Sequence, residues 1–278
     1  MRPECQSCPV RRDGLCASAS DAHLIALGNI KHPLWQVQAG GCVFAEGDAS
    51  ETVFIIRRGW AVASTFHENG RRQVLRFAMP GSMVGFETTA DGFMPCTTEA
   101  LTDLTVCPIP RQSLIRLCQS APELALRMAS LLAAETISDW RLLGGLGTCN
   151  ATERIARLLL ALCQRQNRAF GTGEEEFALP ITQTLIADAT GLTSVHVCRT
   201  LKEMRAVGLL SFMKGRLRIM DWSRLAELAE MSGSRESDFP TPTPNPRLGP
   251  EAWSEAAWRR MSDRCPSSVH IGSHVGST

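Results

Sequence analysis

The chain has 278 residues, enough for two modest domains with their own cores, and its 44% apolar and 21% charged residues make a globular composition. Lys and Arg number 29 against 28 Asp and Glu, so the net charge of +1 excludes a whole-chain attraction to nucleic acid and leaves only a local one. No apolar run approaches the roughly 20 residues that span a bilayer, and the N-terminus is polar and cysteine-rich with no hydrophobic signal region; a cytoplasmic protein with no membrane partner is expected.

Residues 1–20 read as a short cysteine-rich arm with little helix or strand signal. Cys5, Cys8 and Cys16 are spaced C-x2-C-x7-C, and a fourth thiol, Cys107, lies far downstream within Leu104–Pro110. Three clustered thiols and one remote thiol can form a four-sulfur cage, which suits zinc or an iron–sulfur cluster. Free thiols or a thiol–disulfide switch are the alternatives. Eleven cysteines in a cytosolic chain favour ligands and free thiols over disulfides. Cys42, Cys118, Cys149, Cys163 and Cys265 lack ligand-like spacing and read as buried or incidental, whereas Cys96 is a substitute candidate for Cys107.

Asp21–Ile30 reads as a short helix with Leu24, Ile25 and Leu27 on its apolar side. From Trp35 to about Pro110 the pattern becomes short β-branched runs punctuated by glycine and turn residues, at Thr52–Ile56, Trp60–Phe66 and Gln73–Phe77. Asn69-Gly70 and Pro80-Gly81 supply turns, and the whole predicts a small β-barrel or roll. Pro122 to about Leu146 predicts a long helix, with Leu124, Met128, Leu131, Leu132 and Glu135 at helical spacing. Leu126, Ala129 and Ile137 lie off that stripe. A helix apolar on more than one face needs more than one partner, here the roll and a second copy of the chain, unless it is the core helix of a monomer.

Thr152–Gln164 predicts a further helix, and Glu174–Glu176 a charged loop or hairpin tip. Leu179–Leu210 reads as a helix-turn-helix. Thr182 or Thr184 caps the first helix, with Leu185, Ile186 and Ala189 inward. Gly191 permits the turn, Thr193 caps the second helix, Val197, Leu201 and Met204 face inward, and Gly208 ends it. Ser194, Val195, His196, Cys198, Arg199 and Lys202 are left on the outer side, where the first turn of a recognition helix meets the major groove. Arg199 is the natural guanine reader; Lys202 and Arg205 suit phosphates. Gly191–Arg224 holds seven basic residues against two acidic ones, the footprint of a phosphate-binding face. Ser211–Met220 predicts a β-wing around Lys214-Gly215, and Trp222–Met231 a last helix. From Ser232 onward Ser, Pro and Gly dominate, which predicts a disordered tail with a short helix at Glu251–Met261.

This order of roll, long helix and winged helix-turn-helix resembles the Crp/Fnr family of bacterial transcription regulators over about residues 20–230. The residues that carry the resemblance are Gly59-Trp60, Asn69-Gly70-Arg71-Arg72-Gln73, Pro80-Gly81 with Gly85, Asn150–Ile155, and Gly191-Leu192-Thr193 through Val197-Cys198-Arg199-Thr200-Leu201. The fold expected is α+β: an arm (1–20), a β-roll sensor of the cyclic-nucleotide-binding type (21–120), a dimerisation helix (121–148), a winged helix-turn-helix (149–230) and the tail (231–278).

Within the family, the three N-terminal cysteines and Cys107 resemble the Fnr branch, which implies a [4Fe–4S] cluster that oxygen destroys. The C-x7-C gap resembles alphaproteobacterial members. The resemblance implies a homodimer built on Met128, Leu132 and neighbours, and double-stranded DNA read as two-fold related half-sites. It matches Asp139 to an aspartate whose charge opposes dimerisation until the cluster is in place. The Asn69-Gly70-Arg71 hairpin is a candidate contact for RNA polymerase, with an ordinary turn as the alternative. Nucleotide-binding members carry Gly-Glu and Arg-Ser in the roll. Here Gly85-Phe86-Glu87 and Met94-Pro95 stand instead, with no arginine between Gly85 and Pro110, so cAMP is not expected. Val195 replaces a glutamate common in relatives and Cys198 a serine or glycine, which predicts an altered half-site preference. The reading is an oxygen-responsive regulator on whose iron nitric oxide can also act; the alternative is a cluster-free relative with another small-molecule or thiol signal. No Gly-rich cofactor loop or acid/base pair stands out, and the histidines are scattered, so an enzyme is not expected.

Overall fold

In the computed structural model the described residues are 5, 8–11, 14–17, 19–170 and 176–229, with the side chains of 168–170 excepted. The predicted tail, its short helix and Cys265 lie outside them.

The predicted roll is two four-stranded antiparallel sheets. One has the order β1 (Trp35–Val37), β8 (Leu104–Pro110), β3 (Thr52–Arg58), β6 (Met83–Val84). The other runs β2 (Cys42–Phe44), β7 (Thr97–Ala100), β4 (Ala61–Phe66), β5 (Arg72–Ala78). β3 is a continuous apolar run because both of its faces are covered. Phe54 and Ile56 point into the roll with Leu104 and Val106, whereas Val53 and Ile55 point outward with Cys107 and Ile109. Ile55 stands opposite Cys107 in the antiparallel register. Gly59 closes the β3–β4 turn at φ +84, and a Cβ there would strike the Asp103 carbonyl, so only glycine fits.

Helix α1 (Asp21–Ile30) forms as predicted, capped by the Ser20 hydroxyl accepting from His23 N–H. Leu24 and Leu27 are buried, while Ile25 is exposed and does not share their side. A 3-10 turn at Gly14–Cys16 buries Leu15 and Cys16 in the outer core beside Leu24, Leu27 and Val53. The arm therefore has structure that its sequence did not signal.

After β8, α2 (Arg111–Ser120) leads into α3 (Pro122–Thr148), whose 27 residues span about 40 Å. Proline at its first turn lacks the N–H that would be unpaired there. Helix α4 (Ala151–Phe170) opens on a reciprocal cap. Asn150 Oδ1 accepts from Glu153 N–H, and the Glu153 carboxylate accepts from Asn150 N–H. Next come β9 (Glu176–Ala178), α5 (Gln183–Thr190), α6 (Ser194–Ala206), β10 (Leu210–Met213), β11 (Arg216–Ile219) and α7 (Trp222–Leu228). The wing is three-stranded, β10-β11-β9, and Glu176 belongs to its third strand rather than to a loop. The core of this C-terminal part continues into Trp60, Val62, Val74 and Phe77 of the roll. Among the described residues, no helix is long and apolar enough to cross a membrane.

Candidate metal centre and nucleic-acid interface

Cys107 projects from the outer face of β8, a position fixed by strand alternation. Cys16 ends the 3-10 turn, and Cys5 and Cys8 lie half-buried ahead of it. All four line one cavity, walled by Leu24 and Leu34, and among the described residues the charged side chains on its lining are Arg11, Lys31 and Arg57, with no carboxylate. Cys96 is elsewhere in the roll, beside Glu87, Arg76 and Glu46, and is not part of this group. As placed, no three His, Cys, Asp or Glu side chains among the described residues stand close enough to hold a single metal ion.

Burial and the neighbouring thiols push the Cys107 thiol up to about 11, with Lys31 pulling against them. Cys16 is raised as well, chiefly by burial. The metal-free Cys107 and Cys16 thiols are therefore protonated near neutral pH, and metal loading there must displace their protons. A four-thiol donor set gathered at one cavity fits an iron–sulfur cluster. The arm also touches the long helix, because the Arg127 guanidinium of α3 donates to the Gly14 carbonyl at 3.3 and 3.4 Å.

Helix α3 has two apolar sides. Met128 is buried in the protomer's own core, with its sulfur 3.5 Å from Cys118 Sγ, and Leu132 packs half-buried on the same core. The outward stripe is Leu126, Ile137, Trp140 and Leu143, with Trp140 66% exposed. Helical spacing reveals such stripes but does not say which partner each one meets. Asp139 also faces inward, its carboxylate 3.9 Å from Arg76 Nε.

Arg76 of β5 is the centre of a group that sequence reasoning missed. It pairs with Glu87 at 2.5 Å and with Glu135 of α3 at 2.6 Å. Arg165 of α4 also reaches Glu135, at 3.0 Å, and donates to Ser82 Oγ and the Phe77 carbonyl. Roll, long helix and the first helix of the C-terminal part thus meet at two guanidiniums and three carboxylates. Burial pushes the carboxyls of Glu135 and Asp139 up, and the two arginines pull them down. A further ion pair, Arg72–Asp188 at 2.8 Å, ties the roll hairpin to α5. Partners 116 positions apart leave no local signal in a sequence.

The helix-turn-helix follows its local chemistry. Thr182 and Thr193 cap α5 and α6 by accepting from Leu185 and His196 N–H, and Gly191 takes φ +66 between them. Val197, Thr200, Leu201 and Met204 are buried beneath α6. Ser194, Val195, Arg199 and Lys202 are exposed, Val195 at 81%, and His196 and Cys198 are half-buried on the same side. Arg199 Nε lies 3.7 Å from Glu203, an exposed pair of little energetic weight that leaves the guanidinium available. Lys214 and Gly215 at the wing tip both have positive φ, as a two-residue hairpin turn requires.

This fold and this helix pair define a class of DNA-binding regulator, and known proteins agree. Residues 34–121 match the cyclic nucleotide-binding domain family and residues 153–228 the Crp-like helix-turn-helix domain family. The anaerobic regulatory protein of Aggregatibacter actinomycetemcomitans is 30% identical over 84% of this chain and 89% of its own length. The fumarate and nitrate reduction regulatory protein of Escherichia coli strain K12 is 29% identical over 81% of this chain and 90% of its own. Among solved structures, FixK2 from Bradyrhizobium japonicum superposes with a TM-score of 0.64 at 25% identity, covering 70% of this chain and 96% of that one. The chain belongs to the Crp/Fnr family. It is a DNA-binding transcription regulator and not an enzyme.

Proposed function

We propose that this regulator responds to oxygen, and to nitric oxide through the same iron, by means of a [4Fe–4S] cluster held by Cys5, Cys8, Cys16 and Cys107. The observation that carries the reading is the gathering of these four thiols at one cavity, three from the arm and one from a sheet face. The regulatory names of its relatives support it. When bound, the cluster supplies an iron–sulfur core that oxygen destroys.

The chain's own residues make that event legible to DNA. Ligation of Cys5, Cys8 and Cys16 ties the arm to β8, and the arm carries the Gly14 carbonyl that holds Arg127 of α3. A second copy packs along Leu126, Ile137, Trp140 and Leu143, forming a cytoplasmic homodimer. Two α6 helices then meet two half-sites about one helical turn apart. Arg199 reads guanine, Lys202 and Arg205 hold phosphates, and Ser194, His196 and Cys198 line the contact. Val195 offers only apolar contact, so binding-site selection from random DNA should return a half-site altered at the position facing it; the unaltered family site would reject that assignment. The Asn69–Arg71 hairpin tip is the surface offered to RNA polymerase. The roll's Arg76 is engaged by Glu87 and Glu135, which supports a sensor that does not use cAMP.

Anaerobic purification tests the reading. Iron and sulfide near four per protomer, a visible absorbance band, and DNA binding that is lost on exposure to air are expected. A colourless, iron-free protein that binds DNA equally in air would reject the cluster and leave a cluster-free regulator with another small-molecule or thiol signal.

A further inference from the structure

Lys31 follows the last turn of α1, its backbone N–H donating to the Leu27 carbonyl. Its side chain turns into the protein rather than to solvent. The residue is 9% exposed, and its ammonium lies 4.0 Å from Cys16 Sγ. A buried lysine ordinarily has a carboxylate beside it, because an uncompensated charge out of water is costly. Among the described residues, the cavity around Lys31 is lined by no carboxylate; its lining includes the four cysteines and further basic side chains, Arg11 and Arg57. Arg11 has its own partner, Asp21, at 3.2 Å. Among the described residues, the groups beside this ammonium that can carry negative charge are the four thiols, once they are deprotonated as ligands.

We propose that Lys31 is a charge-compensating residue for the four-cysteine centre: its ammonium donates to Cys16 Sγ, stabilises the ligated thiolates, and is left without a counter-ion when the centre is empty. This rests on the proposed cluster and deepens it. Four thiolates around an iron–sulfur core leave a net negative charge, which a buried cation offsets. Once the core is lost the thiols take up protons, and the same cation disfavours the closed arm. One residue thus favours the closed arm in the loaded state and opposes it in the empty state. Hydrogen-bond partners of metal ligands change metal affinity by roughly 10–100-fold.

The test uses the full chain as wild type, Lys31→Met, Lys31→Gln and Lys31→Arg. Each is loaded anaerobically with iron and sulfide and then challenged with an iron chelator without oxygen. Loss of iron roughly tenfold faster in Lys31→Met and Lys31→Gln is expected, with Lys31→Arg close to wild type. In the iron-free proteins, amide hydrogen exchange at Leu15 and Cys16 should be unchanged or slower in Lys31→Met. Equal iron retention in wild type and both neutral variants would overturn the proposal. So would faster exchange in the iron-free neutral variants matched by an equal loss of iron in Lys31→Arg, which would mean that Lys31 only packs. A wild type that takes up no iron refutes the cluster and Lys31's role together, and that failure is visible without any variant.

Discussion

The two sheets of the roll carry opposite kinds of polar site. On the outer face of β1-β8-β3-β6, four thiols and buried Lys31 share a cavity lined, among the described residues, by no carboxylate. Beside β2-β7-β4-β5, Arg76 and Arg165 are matched by Glu87, Glu135 and Asp139. The second site has its opposite charges within one protomer, two guanidiniums among three carboxylates, and behaves as a clamp between roll, α3 and α4. The first is balanced only when something draws the protons from its thiols. A sensor needs one site that is incomplete alone and another that holds the surrounding architecture still; this roll provides one on each side.

The largest effect that would sharpen this contrast is at the incomplete site. Cys107→Ser should abolish iron uptake while leaving the iron-free protein's thermal unfolding nearly unchanged, read by iron analysis and circular dichroism. Unfolding shifted as much as iron binding would break the distinction. The clamp should behave in the reverse way. Arg76→Met leaves Glu135 and Glu87 short of a partner and should cost about 3 kcal/mol in denaturant unfolding, with iron still bound. Weaker, because its side chains are a quarter exposed, is the hairpin contact. Arg72→Ala should cost about 0.5–1 kcal/mol, and it should loosen α5 in hydrogen exchange without changing iron content. Smallest is the titration of Asp139, whose carboxyl burial raises above its ordinary value. A carboxyl raised on folding contributes stability that is present below its unfolded pKa and lost as pH rises through the folded one. Asp139→Asn should therefore flatten the acid-side stability curve across that window, and an unchanged curve would place the titration elsewhere.

Much of the helix-turn-helix was legible because its determinants are local: two threonine caps, one glycine in the left-handed region, and an inward face at helical spacing. The strands between Trp35 and Pro110 were legible for the same reason, through turn residues and β-branched runs. The cysteine group was legible as a donor set, but its placement depended on strand alternation that turns Cys107 outward. What escaped is long-range or ambiguous by symmetry. The Arg76–Glu135 and Arg72–Asp188 pairs join residues 59 and 116 positions apart. The apolar stripes of α3 are equally good by periodicity, so spacing alone did not show that Met128 is buried within the protomer while Trp140 is exposed. β9 is three residues long, too short for alternation to declare itself. Lys31 follows a helix end, where nothing in the local sequence signals its burial.

The division of the proposed ligands, one on a strand and three on a short segment, has a thermodynamic consequence. Cys107 is held by ladder partners whether or not a metal is present. The other three must bring their backbone with them, and fixing the nine described residues from Cys5 to Ala17 costs on the order of 10 kcal/mol of chain entropy. Among those residues only Val10, Gly14, Leu15 and Cys16 are buried in return. Binding free energies of structural metal sites are of that same order, about 10–16 kcal/mol for zinc-finger peptides. Ordering of the segment and occupancy of the centre are then one equilibrium rather than two. The quantity such a sensor reports is the free energy of folding a few residues, set against a sheet that stays folded throughout.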